Sequence, residues 1–106
     1  MNSVNLIGRI ANEINYSRTE NESCRTIFSL ALDRGKDKNG NDMGADFPGI
    51  ICFGKLAEIV SKYCYKGMRI AVDGRITTSS YEKDGCRYYT TMVRAENIQF
   101  LDKKKE

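Results

Sequence analysis

Only one stretch of this chain repeats its apolar residues at a helical spacing. Leu56, Ile59, Val60 and Tyr63 mark one face of a short helix over residues 55 to 65, closed by Lys66 and by Gly67, which is able to turn left-handed. Elsewhere the period is two, so the chain is built of strands. In residues 3 to 11 Val4, Leu6, Gly8 and Ile10 share a face, with the glycine where the strand can bend. Residues 12 to 23 are polar and turn-like. From Cys24 to Arg34, Thr26, Phe28, Leu30 and Leu32 alternate with Arg25, Ile27, Ser29 and Ala31. Asn39-Gly40 then suggests a hairpin with a long, mobile tip. A third strand reads "DFPGIICF", a fourth "MRIAVDGRI" interrupted at Gly74, and a fifth "CRYYTTMVRAENIQFL". The intervening "TTSSYEKDG" is a hairpin loop ending in the turn signal Asp84-Gly85.

In the third strand Phe47 and Phe53 lie six residues apart and therefore point the same way. Ile50 and Cys52 call for burial, so Phe53 is either core or part of a surface that holds something flat. Phe28 and Phe100 sit in plainly alternating strands and are expected in the core.

A chain of 106 residues makes one domain with one small core, here residues 1 to 102, followed by a basic tail at 103 to 106. The net charge is +3, and the tail alone carries three lysines against one glutamate. Any anion site must therefore come from local clustering. No apolar run approaches the ~18 residues of a membrane span, and the start lacks the pattern of a signal peptide, which together suggest a cytosolic setting. The four cysteines show no CxxC spacing and the chain has no histidine, so free thiols are expected and neither a metal nor a cofactor. Without histidine, a phosphate-cradling glycine loop or a converging carboxylate pair, an enzyme is not expected.

Five strands with one helix between the third and fourth is the layout of an all-β OB-fold, a five-stranded Greek-key barrel. Ligands on such barrels use the face of strands two and three and the loops at the mouth.

The stretches "NSVNLIGRI", "DFPGIICFGKLAE", "YKGMRIAVDGRI" and "RYYTTMV" with "NIQFL" resemble the bacterial and phage single-stranded DNA-binding protein family, over about residues 2 to 101. The resemblance implies sequence-independent binding and protection of single-stranded DNA in replication, recombination or repair. It implies that the aromatics Phe47, Phe53 and Tyr81 stack on bases while Lys55 and Lys66 follow the backbone, with Arg9 and Arg75 on strands able to face the groove. Where many members carry a further aromatic near the end of strand two, this chain has Arg34, Gly35 and Lys36, and the two cations are counted as backbone contacts. Thr77, Thr78, Ser79 and Ser80 stand where arginine or lysine often precedes the hairpin aromatic, which implies weaker or more salt-sensitive binding.

The resemblance also implies a homo-oligomer, with a tetramer favoured and a dimer the smaller possibility. The chain stops at "FLDKKKE" without the acidic tip of cellular members, so recruitment of partner proteins by a tail is not expected. The competing function is a primosome-like accessory barrel acting mainly through protein contacts.

Overall fold

The computed structural model describes residues 1–18 and 23–104. In chain order the elements are β1 (Val4–Ile10), β2 (Asn15–Arg18), β3 (Cys24–Asp33), β4 (Ala45–Asp46), β5 (Gly49–Phe53), α1 (Gly54–Tyr63), β6 (Arg69–Lys83) and β7 (Cys86–Phe100). β1 pairs with β6, β6 with β7, β7 in parallel with β5, and β5 with β3. β3 then returns to β1 at Arg9↔Ala31 and Ile10↔Leu30, which closes a barrel. Its five staves are the five expected strands. β4 and β5 are two pieces of the expected third one, since both lie on β3 in one continuous register. They part at Phe47-Pro48, where proline has no N–H to donate, although the Leu30 N–H still reaches the Pro48 carbonyl at 3.1 Å.

Alternation decides which side chains meet inside. Ile10, Phe28, Leu30, Ile50, Cys52 and Val72 are buried, whereas their strand neighbours are not. α1 closes one end of the barrel with Ala57 and Val60, and buried Thr26 donates its hydroxyl to the Ala57 carbonyl at 2.8 Å. Phe100 is partly buried against this core and tilts onto Tyr63, with ring centroids 6.5 Å apart. Two glycines stand where strands approach too closely for a side chain. A Cβ on Gly8 would stand 2.3 Å from the Ala31 carbonyl oxygen, where β1 passes from β6 to β3. One on Gly74 would stand 2.1 Å from the Arg94 oxygen, beside the bulge at Asp73/Gly74.

Several expectations need correction. Part of the polar stretch after β1 is a strand: β2 pairs with β3 from Asn15↔Ile27 to Arg18↔Cys24 and adds an outer ribbon with little to bury. Residues 19–22 of that stretch lie outside the described residues. α1 ends at Tyr63, earlier than the lysine-glycine pair, and centres its buried face on Ala57 and Val60. Gly67 instead takes its left-handed conformation in a separate turn, where Met68 N–H donates to the Tyr65 carbonyl.

The β3–β4 turn is centred on Lys38-Asn39, with Gly40 following it: Gly40 N–H returns to the Asp37 carbonyl, and Asp37 Oδ1 accepts the N–H groups of Asn39 and Asn41. Those backbone donors hold the Asp37 carboxyl below its ordinary pKa. The largest difference concerns "TTSSYEK", expected as loop. It continues β6 in unbroken register with β7 up to Lys83↔Cys86, and only Asp84 and Gly85, both at positive φ, make the turn.

Among the described residues no helix is long and apolar enough to cross a membrane. The cysteines are thiols, with Cys24, Cys52 and Cys64 buried and Cys86 exposed. No group of three metal-ligating side chains occurs among the described residues.

Candidate nucleic-acid interface

Because Ile50 and Cys52 face the core, Ile51 and Phe53 must face out. Phe53 accordingly keeps 41% of its surface exposed and Phe47 keeps 61%. Register then names what surrounds Phe53. Arg25 on β3 lies directly across from it, Arg94 on β7 is level with Ile51, and Arg75 on β6 pairs with Arg94. The Arg94 guanidinium sits over the Phe53 ring, 4.7 Å from its centroid, within the range of a cation–π contact.

Arg75 and Arg94 are directly opposed like charges, an arrangement that costs stability unless an anion joins them. The ion pairs among the described residues are Arg9–Asp102, Arg34–Asp46 and Arg87–Glu82, so none of these three arginines has a carboxylate partner there. Lys55 extends the basic surface from the first turn of α1, which carries no acidic residue and no side-chain cap.

Beside Phe53 the face opens into a shallow groove of about 260 Å³. Ile51 and Met92 line it together with Arg94, and Thr77, Thr78, Ser79 and Thr90 form its far wall. Beyond the groove the β6–β7 ribbon carries Tyr81, which stacks on its cross-strand partner Tyr88 with centroids 5.4 Å apart and planes at 22°. Tyr81 is thus on the same outer register face as Thr77 and Ser79, and it is half of a pair rather than an isolated ring.

The expected residues separate into two groups. Phe47, Phe53, Tyr81, Arg75 and Lys55 lie on or beside this face. Arg9 stands apart from Phe53: it faces out from β1, which lies between β3 and β6, where it donates to the Gly67 carbonyl and pairs with Asp102. Lys66 is exposed beside Gly67, in the turn tied to Ile10 by the Gly67 N–H. Arg34 is engaged by Asp46, which receives both Nε and Nη2 and holds the guanidinium pKa above its ordinary value. Lys36 is exposed and bridges Asp42 through its backbone. A wider depression of about 640 Å³ lies by β1, but there Arg9 and Arg69 face Asp33 and Asp42, so its charge is mixed.

Sequence reasoning passed over Arg25, Arg94 and Tyr88. The signal was present in the alternation of β7, since an inward Val93 places Arg94, Met92, Thr90 and Tyr88 on the outer side.

Comparison with known proteins bears on the family and the fold. A profile of the Single-strand binding protein family matches residues 1–101. A single-stranded DNA-binding protein of Clostridium tetani is 42% identical over 104 residues, covering 96% of this chain and 71% of the relative. One from Staphylococcus aureus is 40% identical over 105 residues, covering 98% of this chain and 67% of its own length. One from Bacillus cereus is 39% identical, with 61% of its length covered. In fold, the chain matches the solved structure described as a Plasmodium falciparum SSB complex with ssDNA, at a TM-score of 0.83 over 96% of both chains and 24% identity. The barrel is an OB-fold, and the chain belongs to the single-strand binding protein family.

Proposed function

We propose that this chain captures single-stranded DNA on the outer face of β3, β5, β7 and β6. Bases stack on Phe53, Phe47 and the Tyr81–Tyr88 pair, while Arg25, Arg75, Arg94 and Lys55 neutralise phosphates. The observation that carries this reading is the exposed Phe53 ring set among three arginines that have no carboxylate partner among the described residues. A single strand supplies what that surface lacks, an anion at each nucleotide and an unstacked π face between anions. A duplex hides its base faces and offers only the anions. The relatives' names favour this reading over the accessory-barrel alternative. The role is binding rather than catalysis.

Lys66 and Arg9 lie on the β1 side of the barrel, and they serve a strand that continues from β3 or β6 onto β1. Arg34 and Lys36 contribute at the margin, Arg34 after giving up Asp46. Protomers assemble into a homo-oligomer, a tetramer before a dimer, and the exposed Ile7 on the outer face of β1 is a surface such assembly covers. Light scattering coupled to size exclusion reads that state directly.

The test of the function is binding to a labelled oligothymidylate, a duplex of equal length and an oligouridylate at about 0.05 and 0.2 M salt. Salt-weakened binding to the single strands, well above the duplex, is the expected outcome. Equal and feeble binding to all three refutes the proposal.

A further inference from the structure

The groove beside Phe53 has a chemistry of its own. Its floor is carbon and sulfur: Ile51 on β5, and Met92 on β7. Met92 reaches across to β5 because Gly49 has no side chain, and a Cβ placed there would lie 3.1 Å from the Met92 methyl. One end is closed by the Phe53 ring under its arginine. The far wall holds a pair of hydroxyls, Ser79 Oγ and Thr90 Oγ1, 2.6 Å apart, either of which can be the donor. Thr90 Oγ1 also donates to the Ser79 carbonyl at 3.5 Å, so the pair presents a lone pair to the groove or, by giving up one of these bonds, a hydrogen. The Thr77 hydroxyl is engaged by the Met92 carbonyl at 3.4 Å. The groove therefore offers a flat aromatic end, an apolar floor and a hydroxyl wall in which the Ser79–Thr90 pair is the adaptable partner, while the cation of its lining, Arg94, lies at the Phe53 end.

We infer that this groove is a subsite for a single pyrimidine base that favours thymine, with the 5-methyl group seated on Met92 and Ile51 and a base carbonyl or N3–H on the Ser79–Thr90 hydroxyls. The inference rests on the proposed function, since it concerns one base of the bound strand. An apolar contact is how proteins recognise the thymine methyl, and serine or threonine hydroxyls serve either a donor or an acceptor on a base edge. Uracil leaves the same floor facing water. Cytosine loses the methyl but keeps a partner on the hydroxyls. The chain thus adds a modest preference to a stacking surface that is otherwise indifferent to sequence.

The decisive comparison uses DNA oligomers of about 8 nucleotides, short enough for one barrel, that differ only in the methyl: thymidylate against deoxyuridylate, and 5-methyldeoxycytidylate against deoxycytidylate. Burial of one methyl group predicts about fourfold tighter binding of the methylated member in each pair. Met92→Gln, of similar length but polar at its end, brings the thymidylate-to-deoxyuridylate ratio to about one, and Met92→Leu keeps it. Equal affinity of the unaltered protein for both members of both pairs overturns the inference while leaving the function intact. A ratio that persists in a folded Met92→Gln protein also overturns it, because the methyl is then sensed elsewhere or through stacking alone. Failure of every oligomer to bind refutes the underlying function instead.

Discussion

Phe53→Ala tests the proposed interface most directly, because the ring has two separable roles. In the folded protein it keeps 41% of its surface exposed, so its truncation removes only part of a buried side chain's contribution. Scaling full burial of a phenylalanine by the covered share gives a stability loss of about 1–2 kcal/mol, below the roughly 3–5 kcal/mol typical of a core position. The loss of one base stack costs about 1–3 kcal/mol in binding, or roughly 5- to 150-fold in affinity. Arg94 loses its ring at the same time, which releases a guanidinium but removes no charge. The salt dependence of binding should therefore change little while the affinity falls.

Fluorescence anisotropy with a labelled oligothymidylate measures the affinity, and circular dichroism with urea titration establishes that the variant is folded. Phe53→Leu separates ring from bulk: it restores apolar volume without a π face and should bind nearly as poorly as alanine. A folded Phe53→Ala protein that binds within twofold of the parent refutes the stacking role of this residue.

The arginine row makes a different prediction. With Arg25, Arg75, Arg94 and Lys55 each neutralising one phosphate, the log–log salt slope is about −3, and each single alanine substitution in the row reduces its magnitude by about 0.7; an unchanged slope removes that residue from the phosphate path. Gly74→Ala drives a Cβ into the Arg94 carbonyl beside the bulge, so the urea midpoint should fall by the equivalent of about 2–4 kcal/mol. Burial pushes the Cys52 thiol up to about 12, with the neighbouring Cys64 adding to it, and burial alone pushes Cys64 up to about 11. The folded chain thus retains protons that the unfolded chain releases, and stability present below about pH 9 should be lost progressively as the pH rises towards 11 and 12. Urea midpoints at pH 7, 9 and 10.5, taken with a Cys52→Ala, Cys64→Ala double variant as control, measure this, and a flat profile contradicts it.

The barrel was legible wherever burial alternates. Phe28 and Leu30 against Ile27 and Ser29, or Ile50 and Cys52 against Ile51 and Phe53, give a period of two because one side of each strand meets the core and the other meets water. That pattern ends where the core ends. From Thr77 to Lys83 β6 is held by pairing with β7 and has almost nothing to bury, so its residues read as loop. β2 escaped notice for the same reason. The Phe53 platform could be placed by counting, but its arginines come from three other strands, and only the register brings Arg25, Arg75 and Arg94 together. Arg9 and Arg34 show the converse: both were cations on plausible strands, and each was found beside a carboxylate that sequence proximity does not reveal.

The closure of the barrel is narrow in two places. β1 meets β3 over two residue pairs, and β5 meets β7 over two, whereas the other neighbouring staves pair over five or more. The molecule is therefore two well-knit leaves joined along two short seams, and the Ile51–Arg94 seam runs under the Phe53 ring. On the proposed interface, a strand bound from Phe53 to the β6–β7 ribbon would strap one leaf to the other. Its binding energy is then added where the fold holds itself together least, and slowed hydrogen exchange should spread from that seam into both leaves.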